Sequence, residues 1–236
     1  NFDQSLDKAL KLIDIASEAG ADAVKFQLFD SNILYPNKDG LYDVFKSIEL
    51  NKEWIPKLKD YAHKRSIHFG CSAFDLESLN VLEEIGIDFH KIASSEANNF
   101  KLLLRLASQD IPTIISTGMC NSLDVEEVVS VFQNYNNNNF ALLQCIAQYP
   151  AEYKELNLKV LKTFSQRYNN VLGFSDHTLD NVAASVAVGL GASIFEKHFT
   201  IDKSAKGPDH FYALEPKDLK EYIDTIKNSY STLGSL

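Results

Sequence analysis

The sequence is short of cysteine, of basic charge and of long apolar runs, and each shortage speaks against a class of protein. The three cysteines, Cys71, Cys120 and Cys145, are odd in number and show no CxxC spacing. That argues against a disulfide framework and fits reduced thiols packed as small apolar side chains. Lysine and arginine total 23 against 32 aspartates and glutamates, a formal charge of −9. Nucleic acid is therefore a poor partner, because a phosphate backbone rewards a basic face. A small phosphorylated ligand stays open, since a few converging lysines set the potential of one pocket whatever the overall sign. No apolar run approaches the roughly 18 residues that span a bilayer, and no basic-then-apolar leader opens the chain. These absences point to the cytoplasm, with no membrane partner; Asn1 reads as a cut end.

What is present is the composition of an ordinary globular chain, 45% hydrophobic and 23% charged over 236 residues. That length suits one α/β barrel. Leu6, Leu10, Ile13 and Ala16 recur at helical spacing and stop at Gly20, a natural C-terminal cap. From Ala23 to Phe29, Val24, Phe26 and Leu28 alternate with Lys25 and Gln27, a strand with one polar phase. Similar runs begin near His68, Asp88, Pro112, Phe140, Val171 and Ala192. Amphipathic stretches lie between them, for example Trp54–Lys64, Leu76–Ile85 and Asp124–Phe132, and a last helix spans roughly Pro216–Leu233.

Strands alternating with helices mean parallel pairing and right-handed crossovers. An open doubly wound sheet would carry nearly continuous apolar central strands. Here Lys25, Gln27, Lys91, Glu196 and His198 interrupt them, and no strand leads into GxGxxG or GxxxxGK[ST]. The reading is a TIM-type (β/α)8 barrel filling residues 1–236 as a single domain. Seven strands are counted and a helix precedes them, so the first strand is expected just upstream of Asn1.

Active sites of such barrels lie at the C-terminal strand ends. Those ends offer Lys25, Gln27, Ser72, Asp75, Lys91, Ser94, Ser95, Ser116 and Thr117, then Gln144, Gln148, Tyr149, Ser175, Asp176, His177, Glu196, Lys197 and His198. Two lysines with hydroxyls in one mouth suit an anion bearing carboxylate and phosphate, such as phosphoenolpyruvate (PEP). A single serine there can be mere polar filler, but an unpaired buried ammonium is costly. His177 and His198 end adjacent strands, so both imidazoles can reach one divalent ion, Mn²⁺ or similar, although such a pair taken alone also reads as structural or surface histidines. Gly207–His210 reads either as a surface turn or as a loop over the mouth carrying Asp209 inward.

Taken in order, Ala23–Gln27 (AVKFQ), Lys91–Ser94 (KIAS), Ile115–Met119 (ISTGM), Phe174–Thr178 (FSDHT), Glu196–Thr200 (EKHFT) and Gly207–His210 (GPDH) resemble a known family. It is the N-acetylneuraminate (sialic acid) synthases with their pseudaminic and legionaminic acid relatives. The resemblance implies a PEP-dependent, C–C bond-forming transferase that condenses PEP with an N-acylated hexosamine such as N-acetylmannosamine. It places Lys25, Ser72, Lys91 and Ser94 at the PEP carboxylate, and Ser116 and Ser175 on the phosphate side. Gln27, Tyr149 and Asp209 fall near the acceptor sugar, with Asp209, His177 and His198 as the catalytic set. His177 and His198 match the ligands of a divalent metal, Mn²⁺ first, with Mg²⁺ or Co²⁺ as other candidates. It also implies a homodimer of the full-length protein.

The sequence departs from the family at Asn1–Gln4 and at Ala147, where one phosphate contact is in question, and it stops at Leu236 without the family's antifreeze-like domain. The segment alone is accordingly expected to be poorly active. Two other readings are kept open: a PEP-dependent synthase of another 3-deoxy sugar acid, and a non-catalytic barrel fragment.

Overall fold

The computed structural model describes residues 1–234. The first helix, α1 (Leu6–Ala19), begins where the Ser5 hydroxyl accepts from the Lys8 amide. It ends at Gly20, whose φ of 86° lets its N–H reach the Ala16 and Ser17 carbonyls. Glycine adopts that left-handed conformation without a Cβ clash. β1 (Ala23–Leu28) buries Val24, Phe26 and Leu28 in the core and turns Lys25 and Gln27 to its other face.

Two short helices follow that the hydrophobic pattern does not announce, α2 (Ser31–Leu34) and α3 (Tyr42–Ile48). The chain then alternates through α4 (Ile55–Lys64), β2 (His68–Ala73), α5 (Leu76–Ile85), β3 (Phe89–Ile92), α6 (Phe100–Ala107) and β4 (Thr113–Ser116). It continues through α7 (Ser122–Asn134), β5 (Phe140–Cys145), α8 (Val160–Arg167), β6 (Val171–Asp176), α9 (Val182–Gly189), β7 (Ile194–Lys197) and α10 (Pro216–Ser231). Asp75, one of the polar residues at a strand end, caps α5 by accepting from the Ser78 amide at 2.7 Å. Helix α7 opens on a capping box between Asn121 and Asp124. Each device satisfies amides that a helix N-terminus leaves orphaned.

The seven strands are parallel and lie in chain order. Strands about 4.8 Å apart in a flat sheet would put β1 and β7 roughly 29 Å from each other. Instead Lys25 Nζ on β1 lies 3.0 Å from Glu196 Oε1 on β7, so the sheet curls until its two edges face one another. The curl stops short of a ring. Among the described residues β1 pairs with β2 alone and β7 with β6 alone. The seven parallel strands expected from the sequence are all present, as an open curled sheet. Leu12 and Ala16 of α1 and Leu219, Tyr222 and Ile223 of α10 line the same cavity as residues of the two edge strands. Those side chains cannot supply the backbone donors and acceptors that a ladder requires.

Outside the curl, helices and strands share one apolar cluster that includes Phe26, Phe69, Ile92, Ile115, Leu142 and Phe174 from strands. Ile13, Leu58, Leu82, Leu102, Val128 and Leu161 meet them from the helices. Full burial of each such side chain contributes about 1.5–3 kcal/mol before chain entropy is counted. Lys197 points outward: its ammonium pairs with Asp176 Oδ2 at 3.1 Å and lies 5.0 Å over the Tyr222 ring of α10. No helix among the described residues is long and apolar enough to cross a membrane.

Candidate active site

Strand alternation delivers the charged side chains to the inner face. Register then sets Gln27 beside Ser72, Ser72 beside Lys91, and Ser175 beside Glu196 on neighbouring strands. Inside the curl lies a cavity of about 1330 Å³ whose wall includes Lys25, Gln27, Lys91, Glu196, His198 and Asp209. That exceeds the roughly 300–1,000 Å³ of an ordinary ligand pocket.

One end of the site gathers two lysines around one carboxylate. Lys91 is almost fully buried, and its ammonium donates to the Ile92 carbonyl at 2.7 Å and to Ser116 Oγ at 2.8 Å. Glu196 stands between the two lysines, 3.0 Å from Lys25 and 3.6 Å from Lys91, and accepts from Ser175 Oγ at 2.7 Å. Burial pushes Lys91 down to about 8, with the Glu196 charge opposing it. Burial disfavours the Glu196 carboxylate, yet the two ammonium groups and the Ser175 hydroxyl outweigh it and hold the group well below the usual carboxylate range. Two cations against one anion leave the pocket net positive. The buried Ser72 hydroxyl has no hydrogen-bond partner. Ser94 accepts from the Gly118 amide at 2.9 Å and ties the exits of β3 and β4 together.

The other end is aromatic and imidazole-rich. The His177 and His198 rings lie 5.5 Å apart between centroids, with Tyr149 at 4.2 Å from the first and 5.9 Å from the second. His177 Nδ1 lies 2.8 Å from the Ile146 carbonyl. A carbonyl only accepts, so Nδ1 carries the proton and the Nε2 lone pair is free. Burial lowers His177, with the Ile146 contact opposing, and burial lowers His198 to about 4, with Asp209 opposing. Both rings are therefore neutral near pH 7. Asp209 Oδ2 stands 3.6 Å from His198 Nδ1.

The residues singled out in the sequence divide: Asp75 caps α5, Lys197 and Asp176 pair outside the curl, and Gln144 donates to the Leu156 carbonyl. Lys25, Gln27, Lys91, His198 and Asp209 border the cavity, whereas Ser116 and Ser175 reach it through Lys91 and Glu196. Tyr149 stands half-exposed at the rim. Of two further members, the sequence offered Glu196 as a strand-end residue without a role and did not offer Tyr212. Glu196 lies two residues before His198 and so on the same face. Tyr212 is buried and packs edge-on against His198 at 5.3 Å, and burial, then the Asp209 charge, push its hydroxyl up. Its signal is its place three residues after Asp209 in a stretch otherwise read as irregular.

Two neutral imidazoles with ring centroids 5.5 Å apart fit a divalent ion as a two-nitrogen donor set, the rest of the shell being oxygens from water or substrate. Among the described residues there is no cluster of three or more histidine, cysteine or carboxylate ligands.

Residues 12–236 match the model of the NeuB family. The chain is 36% identical over 253 residues to the N,N'-diacetyllegionaminic acid synthase of Legionella pneumophila, covering 100% of this chain and 71% of that protein. It is 37% identical over 235 residues to an uncharacterized protein of Methanocaldococcus jannaschii, covering 100% of this chain and 70% of that one. The N-acetylneuraminic acid (sialic acid) synthetase of Leptospira borgpetersenii, solved in complex with citrate, superposes with a TM-score of 0.93 at 33% identity. That match covers 98% of this chain and 80% of the Leptospira one.

Proposed function

The chain belongs to the NeuB family, and from that premise we propose that it condenses PEP with an N-acylated hexosamine, releasing phosphate and forming a nonulosonic (sialic-type) acid. The observation that carries this reading is the net-positive cluster of Lys25, Lys91 and Glu196 in a cavity that His198 also lines, with the neutral His177 ring 5.5 Å from that of His198. PEP is a small, strongly charged anion that such a pocket suits. Lys91 and Lys25 hold its charged groups as point charges, while Ser116, Ser175 and the unpartnered Ser72 hydroxyl add directional donors.

The atoms balance as follows. C3 of PEP forms a bond to the aldehyde carbon of the open-chain sugar, whose oxygen takes up a proton. Water adds to C2 and releases its proton, and the C2–O bond to phosphate breaks. A divalent ion held by His177 and His198 would supply Lewis-acid polarisation of the aldehyde. The chain's own residues hold and orient the two substrates, which removes much of the entropic part of the barrier. Asp209, beside His198, is placed to take or return a proton at the acceptor end. Tyr149 at the rim offers a flat apolar wall with a polar tip to the sugar and its acyl group.

The same reading extends to the fold. The facing edges of β1 and β7 carry backbone groups with no ladder partner among the described residues, and one more parallel strand between them would complete an eight-stranded barrel. The deciding test is phosphate release from PEP by the intact protein, screened against N-acetylmannosamine and diacetamido-hexoses with Mn²⁺ present. Sugar-dependent release is expected with at least one acceptor. Absence of release with all of them would sink the reading.

A further inference from the structure

The stretch 201–213, between β7 and α10, is solvated over most of its length but carries three buried residues, His210, Tyr212 and Ala213. Its ends are stitched by backbone bonds, Thr200 N–H to the Leu214 carbonyl and Leu214 N–H to the His198 carbonyl, each 2.9 Å. Lys203 is tied near the start, its amide to Glu215 and its ammonium to Asp218. Between these points the hydrogen-bonded anchors to the rest of the fold come from His210. Its Nδ1 lies 2.6 Å from Thr200 Oγ1 and its Nε2 2.9 Å from Asp3 Oδ1. Asp3 is itself fixed by Lys8 at 2.6 Å.

The tautomer follows from chemistry. A carboxylate only accepts, so a neutral His210 carries its proton on Nε2 and accepts the Thr200 hydroxyl proton at Nδ1. A Thr–His–Asp chain has the connectivity of a nucleophile relay, but Thr200 has no exposed surface, so no substrate reaches its oxygen. The chain is a clamp. Gly207 confirms that the loop is built around this ring: a Cβ there would lie 2.7 Å from the His210 ring, and its φ of 155° disfavours any other residue. The residue immediately before His210 is Asp209, 3.6 Å from His198.

We propose that His210 is the positioning residue that sets Asp209 against His198 and the acceptor, clamped at its two ring nitrogens by Thr200 and Asp3. The proposal rests on the synthase reading above and adds to it the element that fixes the loop. An error of about 1 Å in placing a reacting group costs on the order of 100-fold in rate. His210→Ala should therefore lose about 10- to 100-fold in kcat/KM for the sugar, while the PEP dissociation constant stays within about twofold of wild type. His210→Asn, which restores a polar acceptor toward Thr200, or His210→Gln, which restores a donor toward Asp3, should regain most of that loss.

Wild-type kinetics for His210→Ala, a parallel loss of PEP binding, or failure of both amides to rescue would each overturn the proposal. Hydrogen exchange over residues 205–214 separates this result from the wider functional reading. Those amides should exchange about tenfold faster in His210→Ala even if the wild-type protein turns over no sugar, in line with loss of a local anchor. Unchanged exchange would refute the clamp, and inactive wild-type protein would refute only the synthase reading.

Discussion

Replacing Lys91 by methionine removes the buried ammonium while keeping a side chain of similar length. Glu196 retains Lys25 at 3.0 Å, so the variant leaves no unpaired carboxylate, and the folded protein should lose little stability. The ligand loses more. A hydrogen bond to a charged group is worth about 1.5–3 kcal/mol, and Lys91 already presents donors beside Ser116 and Ile92. Loss of about 3 kcal/mol corresponds to roughly a 100-fold weaker PEP dissociation constant.

The titration adds a second signature. Burial holds the free Lys91 amine at about 8. Binding an anion favours the charged form, so PEP should bind with proton uptake above that pH, and its affinity should fall as pH rises further. Calorimetry with PEP alone and sugar alone, in two buffers of different ionisation enthalpy, reads both effects. A Lys91→Met protein that binds PEP within threefold of wild type at pH 7, or that loses sugar binding equally, would refute this placement of the anion.

Three other perturbations have definite expectations. His177→Ala or His198→Ala should abolish turnover, and chelation should silence the wild-type protein, measured as phosphate release; full activity after chelation would count against the metal. His90 is buried on the outer face of β3 with its Nε2 unpartnered, and burial lowers it to about 4. The unfolded chain then binds a proton below about 6.5 that the folded chain refuses, so stability is full above that pH and falls by up to about 3 kcal/mol toward pH 4. His90→Leu should flatten that part of the urea-unfolding profile between pH 7 and 4. Phe69, fully buried between β1 and β3, should cost about 3–5 kcal/mol as Phe69→Ala in the same assay.

Much of this was legible because the physics is local. Val24, Phe26 and Leu28 against Lys25 and Gln27 is a two-residue period that one buried face imposes, and it marks the inner wall directly. Helices with an apolar stripe and a cap, such as α1 and α5, announce themselves likewise. Helix α3 buries no residue, so it has no stripe to read. Glu196 looked like one more polar strand residue because its partners, Lys25 and Lys91, reach it only through the curl of the whole sheet. Whether the ring closes depends on what lies between β1 and β7, which no pattern within either strand records. The His210–Asp3 contact joins residues 207 positions apart, beyond any periodicity.

The most direct measurement is a crystal structure of the protein soaked with PEP and Mn²⁺, with the ion located by its anomalous scattering. The ion should sit between the imidazoles of His177 and His198, with PEP in the same cavity against Lys91 and Lys25. An ion bound elsewhere, or PEP density away from those two lysines, would contradict a single metal-assisted condensation site.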